Sequence, residues 1–229
     1  MSAPAPGWVV DWLAPERFAK YLKAAGGDST RALTLYEWNA RLAAALQRDL
    51  GHLEVGLRNA YDRALLAHPT VAGRDWIDPA VYPMLLPPHM VKDQDGNEQD
   101  KNATPRSAIK NARKYAGYRE GGPVQRGKVI AEFMFGFWSY LSDSLHEKTL
   151  WVATLHSAYQ PGADRAQLHA ALGELREVRN RLAHNESIFD QTPERIRRRI
   201  LFVAGSLSID LRTHIETNSE APALLRSKP

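Results

Sequence analysis

An all-α fold is the class this sequence predicts, on three observations. Apolar residues recur at spacings of three and four over long stretches, no alternating apolar-polar run persists long enough to argue for a sheet, and prolines and glycine pairs gather between the helical stretches. With 229 residues, 44% of them apolar, the chain can build one sizeable core. The expectation is a single-domain bundle of about six or seven helices over residues 1–229. Its ordered core is expected at about 15–216, between short flexible tails, with a long proline-rich loop at about 69–104.

Taken in order, a first short helix is expected from Pro15, with Glu16 in its first turn, to the breaker Gly26-Gly27. Asp28 or Ser29 can cap a much longer one. From Arg31 to His68, Leu35, Trp38, Leu42, Leu46, Leu50, Leu53 and Leu57 keep helical spacing, interrupted only by Gly51 and Gly56, so that one bent helix or two helices both fit. Prolines 69, 79, 83, 87 and 88 and the polar run Asp93 to Asp100 then predict mostly loop, with Asp95-Gly96 as a turn and Trp76 and Tyr82 as anchors. Thr104-Pro105 starts the next helix. Gly121-Gly122-Pro123 separates it from an apolar helix over about 124–145, in which Val129, Phe133, Phe137 and Leu141 make the stripe. A short helix at about 147–158, a helix from Ala163 and a last one over 193–215, opened by Thr192-Pro193-Glu194, complete the set.

The helix from Ala163 ends in the segment richest in chemistry, Arg179-Asn180-Arg181-Leu182-Ala183-His184. Leu168, Ala171, Leu172, Leu175, Val178 and Leu182 form its apolar stripe. At about 100° per residue, Arg176, Asn180 and His184 fall along one flank and can face the same ligand. Arg179 projects closer to the apolar arc, where a guanidinium needs a carboxylate or phosphate partner. A histidine can exchange a proton with a ribose 2′-hydroxyl, while a guanidinium and an amide can hold a phosphate, so these residue types suffice to cleave RNA without a metal. The same residues also have a structural reading, since Arg and His near a helix C-terminus are favoured by the macrodipole and by the last free carbonyls.

The string Arg-Glu-Val-Arg-Asn-Arg-Leu-Ala-His-Asn-Glu-Ser-Ile-Phe from Arg176 to Phe189 resembles the signature of Abi-like (abortive infection) proteins of the HEPN superfamily. Leu35 to Asn39, Asp49 to Asn59, Phe133 to Leu141 and His146 to Leu155 resemble further parts of the same family, so the likeness spans about Pro15 to Phe189. It implies a HEPN-like helical bundle and metal-independent endoribonuclease activity from an Arg-x(4–6)-His motif, with Arg179, Asn180 and His184 as catalytic residues. It further implies a homodimer whose two motifs form one composite site, an anti-phage or toxin-type role, and no cofactor. The tyrosine that follows the histidine in one version of the motif is replaced here by Glu186, so regulation by modification of that tyrosine is not expected.

Supporting residues are proposed around this motif. Either Glu54 and Arg58, one turn apart, form an ordinary surface ion pair, or, as the resemblance of this segment to the family implies, Glu54 faces across to Arg179 or His184 as a carboxylate that orients the motif. His52 lies nearby and reads as a satisfied, partly buried side chain. Asn185 and Glu186 either tune His184 and touch RNA or simply end the helix. Arg176 and the basic cluster Lys101, Arg106, Lys110, Arg113, Lys114 and Arg119, interleaved with Tyr115 and Tyr118, are candidate RNA contacts, as are Arg195, Arg197, Arg198 and Arg199. A solvated helix face is the alternative for both clusters.

Charge and composition bound the rest. A net charge of +4 favours phosphate polymers without requiring them. The absence of cysteine excludes disulfides, thiolate metal sites and a cysteine nucleophile, and the eight histidines show no metal-ligand spacing. Ala3-Pro4-Ala5-Pro6-Gly7 is too short and uncharged for a signal sequence, and no run of about eighteen apolar residues occurs. The expected setting is the cytoplasm, with RNA as substrate, a second copy as partner, an antitoxin or regulatory RNA as a possible restraint, and no membrane.

Overall fold

The computed structural model describes residues 6–117 and 125–229. The predicted separator at Gly121-Gly122-Pro123, together with Tyr118 and Arg119 of the basic cluster, lies outside the described residues. Helices dominate, as the periodicity predicts. The centre of the fold is α3, Ser29–Leu66, a single continuous helix of 38 residues. It begins where Asp28 accepts a hydrogen bond from the backbone N–H of Arg31 at 2.9 Å. Just before it, Gly26 and Gly27 take φ of 66° and 86° to end α2, Pro15–Ala24. Leu42, Leu46, Leu50, Leu53 and Leu57 of the predicted stripe are fully buried. Neither Gly51 nor Gly56 breaks the helix. Gly56 instead admits Leu211, whose Cδ2 would lie 2.5 Å from any added Cβ, so an interruption in the pattern proves to be a packing site.

Around α3 pack α2, α8 (Arg165–Ala183), α9 (Pro193–Leu207), α10 (Ile209–Asn218) and α11 (Ala221–Arg226). The expected core of 15–216 is too narrow at both ends. Residues Gly7–Leu13 form α1 and bury Val9 and Leu13, while α11 buries Ala221 and accepts, through the Leu224 carbonyl, the indole N–H of Trp38 at 2.7 Å. The single last helix expected over 193–215 is two, divided at Ser208, whose extended backbone and capping hydroxyl start α10.

The proline-rich stretch is less irregular than its composition suggests. It contains a single turn of helix, α4 (Tyr82–Leu85), and an antiparallel hairpin of β1 (Met90–Lys92) and β2 (Glu98–Asp100), with Val91 opposite Gln99. Asp95-Gly96 is in the hairpin turn, with Gly96 at φ 81° and the Asp93 carboxylate accepting from the N–H groups of Asp95 and Asn97. Trp76 anchors the stretch: it is 2% exposed, and its indole N–H donates to Asp62 of α3 at 2.7 Å. Arg126 bonds both Asp62 and Asp75, tying this region to α3.

After α5 (Ala103–Tyr115), the apolar helix expected over 124–145 is also divided, into α6 (Arg126–Ala131) and α7 (Phe135–Tyr140). Phe133, between them, stacks on Phe137 with ring centres 4.3 Å apart, and Trp138 and Trp76 complete the cluster. The helix expected at 147–158 is a wide π turn, Glu147–Trp151, followed by a 3-10 turn, Leu155–Ala158. No helix among the described residues is long and apolar enough to cross a membrane.

Candidate functional site

The motif helix α8 rests on α3, α7 and α9, and this packing sets the position of each functional side chain. Its buried stripe of Leu168, Ala171, Leu172, Leu175 and Leu182 turns Arg179 toward α3, where it is half-buried. There the Arg179 charge acts on the carboxyl of Glu54 on α3, although the two side chains make no direct ion pair. Burial is the largest influence on the Glu54 carboxyl and raises its pKa, while the charges of Arg179 and then Arg58, and a hydrogen bond from the backbone N–H of Phe135, oppose it. The carboxylate thus sits where three elements meet: Glu54 and Arg58 on α3, Arg179 on α8, and the first residue of α7. Neither of the two roles open to Glu54 in the sequence is singled out: the charges of both Arg179 and Arg58 act on it, and it makes a direct ion pair with neither.

Arg179, Asn180 and Arg176 line a cleft of about 660 Å³. Other parts of its wall come from α5, from the hairpin and from the start of α7, including Tyr115, Asn111, Met134 and Phe135. Arg176 is exposed and chelates Glu177 through Nε and Nη2 at 3.2 and 2.9 Å, and its stem lies against Gly136, where an added Cβ would meet Arg176 Cδ at 3.4 Å. An exposed pair of this kind is easily exchanged for another anion. Within this group three guanidiniums (Arg58, Arg176 and Arg179) face two carboxylates (Glu54 and Glu177), which leaves net positive charge.

His184 does not line this cleft, which corrects the expectation that it shares one flank with Arg176 and Asn180. The reason is local. Helix α8 ends at Ala183, and His184 is the cap residue, off the helical track at φ −95° and ψ 10°. The N–H groups of Asn185 and Glu186 donate to Leu182 and Arg181 at 3.1 and 2.9 Å, and Asn185 takes φ 51°, which is the Schellman way of closing a helix. Asn185 therefore terminates α8, and its carbonyl accepts from Arg17 at 2.8 Å. Glu186 faces Arg181, 3.6 Å away, rather than the motif. His184 is left exposed at the tip of the turn, beside a smaller hollow of about 230 Å³ that Arg17, Lys20, Asn185 and Glu186 help to line.

The basic clusters divide on inspection. Lys110 and Lys114 are exposed on α5, but Arg113 is 6% exposed and donates from Nη1 to the Ile77 carbonyl at 2.7 Å, so it braces the core and is corrected as an RNA contact. Arg106 bonds the Leu86 carbonyl and the Asp100 carboxylate. Arg195 and Arg199 both clasp Glu174 and hold its pKa below the ordinary carboxylate value. Arg197 lies 3.9 Å from Glu216. His52 is partly buried, as expected, and packs edge-on to His214 with ring centres 5.4 Å apart, but its Nε2 has no hydrogen-bond partner among the described residues, so it is not the satisfied side chain expected. Among the described residues no group of three or more His, Cys, Asp and Glu side chains is placed to hold a metal ion.

Sequence reading does not find the cleft itself. Its floor depends on the break between α6 and α7, which exposes Met134 and frees the Phe135 N–H for Glu54. The one visible signal was Gly136 inside an otherwise apolar run, together with Tyr115 among the lysines of α5. Compared with models of known protein families, with curated proteins and with solved structures, the chain finds no match in any of the three.

Proposed function

We propose that the chain is a HEPN-type, metal-independent endoribonuclease that acts as an abortive-infection or toxin-type effector. In this reading Arg179 and Asn180 hold the scissile phosphate. One His184 accepts the proton of the ribose 2′-hydroxyl as that oxygen attacks phosphorus, and the His184 of a second copy donates a proton to the departing 5′-oxygen. The products are a 2′,3′-cyclic phosphate and a 5′-hydroxyl, and no oxidant, reductant or cofactor enters the balance.

The observation that carries this reading is the setting of Arg179: a half-buried guanidinium lining a cleft onto which Asn180 also opens, with an exposed His184 at the end of the same helix. A phosphate at this place would meet preorganised donors. The test is incubation of wild-type and His184→Ala protein with labelled single-stranded and structured RNA in chelator, followed by analysis of fragment ends. Cyclic-phosphate fragments from the wild type alone are expected, and a strict requirement for divalent metal would defeat the mechanism. The offset of His184 from the cleft wall favours one second reading, a non-catalytic module that binds RNA or nucleotides. Intact RNA in both samples, with binding retained, would select it.

A further inference from the structure

A phosphate uses only one part of the cleft. Much of the remaining lining is apolar or aromatic, with Pro105, Ala108 and Ala112 of α5 and Phe135 and Phe137 of α7 among it. Two large side chains on this wall are open to solvent, Tyr115 at 73% and Met134 at 59% exposed. Lying together on one wall with the buried apolar lining, they extend it into a continuous apolar surface that a ligand can cover. Asn111, exposed on the same wall, presents an amide that can both donate and accept. Arg176 and Arg179 bring two guanidiniums to one side of the cleft, while Asp100 and Glu132 line other parts of it.

A ligand that uses all of these features is flat and apolar on its faces, polar at its edge, and anionic where it joins its neighbour. An aliphatic chain would leave the guanidiniums unmatched, and inorganic phosphate would leave the apolar wall unmatched. A nucleobase with its phosphate satisfies both, and a cleft of about 660 Å³ holds one with its sugar. We infer that the cleft seats an unpaired base of single-stranded RNA, stacked on Tyr115 with its edge toward Asn111, while the adjoining phosphate rests on Arg176. This inference rests on the RNA reading of the motif and adds to it a place where base identity can be read.

The test uses the full chain and a labelled, short 2′-O-methyl oligonucleotide. Methylation blocks the attacking oxygen, so binding is measured with no cleavage. The second probe is the same backbone with every base removed. Tyr115→Ala is expected to weaken binding of the intact oligonucleotide by roughly tenfold, in line with the loss of one stacked base. It is expected to leave binding of the base-free backbone unchanged, and Tyr115→Phe should bind as the wild type does. Because Tyr115 is exposed, these variants fold. Equal binding of the intact oligonucleotide by wild type and Tyr115→Ala would overturn the inference. So would light scattering in which Met134→Glu dissociates a dimer without changing oligonucleotide affinity, since the wall would then belong to a protein interface. Expected binding together with uncut unmodified RNA would leave the base pocket standing and remove the ribonuclease reading instead.

Discussion

Mild acid is expected to weaken this fold through one identifiable side chain, His146. The residue is 2% exposed, just beyond α7, with the ring of Tyr140 edge-on at 5.1 Å and with Nε2 lacking a hydrogen-bond partner among the described residues. Burial depresses its pKa from 6.5 to about 4; Asp143 partly opposes that shift and His89 adds to it. The folded state therefore binds the proton less tightly than the unfolded chain does. The stability tied to this residue is fully present above the unfolded value, and is lost as pH falls from about 6.5 through about 4. At about 1.4 kcal/mol per pKa unit, the whole gap amounts to roughly 3 kcal/mol, of which about 2 kcal/mol is already lost near pH 5. For a domain with a typical 5–15 kcal/mol of total stability that is a large share.

Urea unfolding followed by tryptophan fluorescence, at steps between about pH 7.5 and 4.5, measures the slope. Carboxylates held by cations, such as Glu174, also lose stability in acid, so the informative quantity is the difference between wild type and His146→Leu. That difference should shift in favour of the variant by about 2 kcal/mol between pH 7 and 5. Parallel curves across this window would refute the argument, and would mean that water or a nearby acceptor reaches Nε2. The effect also bears on function. His146 follows the helix that presents the Phe135 N–H to Glu54, so the ribonuclease test belongs above about pH 6.5, where the imidazole is neutral in both states.

Two further outcomes follow from the motif's surroundings. At Asn185, where φ is 51°, Asn185→Val should cost about 1–2 kcal/mol and fray the turn that carries His184, whereas Asn185→Gly should be close to neutral; amide exchange at Asn185 and Glu186 reads the difference, and equal protection in both variants would show that the left-handed cap does not hold the turn. Since burial outweighs Arg179 and Arg58 at Glu54, Glu54→Gln, which keeps an acceptor for the Phe135 N–H, should leave the thermal midpoint at neutral pH unchanged or raised; a clear fall would show that the attraction of the two guanidiniums dominates instead.

How far the sequence discloses this molecule depends on where the information is stored. Helix α3 and the stripe of α8 are legible because each buries one face against several neighbours, which forces leucines onto a helical period. The division of the 124–145 segment is not legible. Val129, Phe133, Phe137 and Leu141 are buried on either side of the break, so burial imposes the same residue types on a bent path as on a straight one. The hairpin escaped because its strands are three residues each and mostly exposed, leaving no alternation to read. Helix α11 escaped because a distant contact, the Trp38 indole on the Leu224 carbonyl, fixes it in place. Spacing alone suggests only that Glu54 and Arg58 share a face of α3; that Glu54 lies within the influence of Arg179 on α8 depends on packing. The cleft is not legible either, since it is made by α5, α7 and α8, and only the packing of these helices brings Tyr115 and Asn180 to one wall.

The same packing sets a requirement on the proposed reaction. Two side chains of α3, about four turns apart, act on the motif and its surroundings. Glu54 lies within the influence of Arg179, and Asn39 accepts the backbone N–H groups of Ile188 and Phe189 at 2.9 and 3.2 Å just past the turn that carries His184. Phe189 is further held against Tyr21 with ring centres 5.1 Å apart, and Arg17 grips the Asn185 carbonyl. With the segment that follows it tied to α2 and α3, His184 cannot swing far toward the cleft without breaking these bonds. If Arg179 and His184 act on one phosphate, the strand must lie across the end of α8 rather than deep in the cleft, or the imidazole must come from a second copy. In the first arrangement the scissile bond is at the rim and the cleft is left to hold a neighbouring base, so that cutting and reading fall to adjacent positions of the same strand.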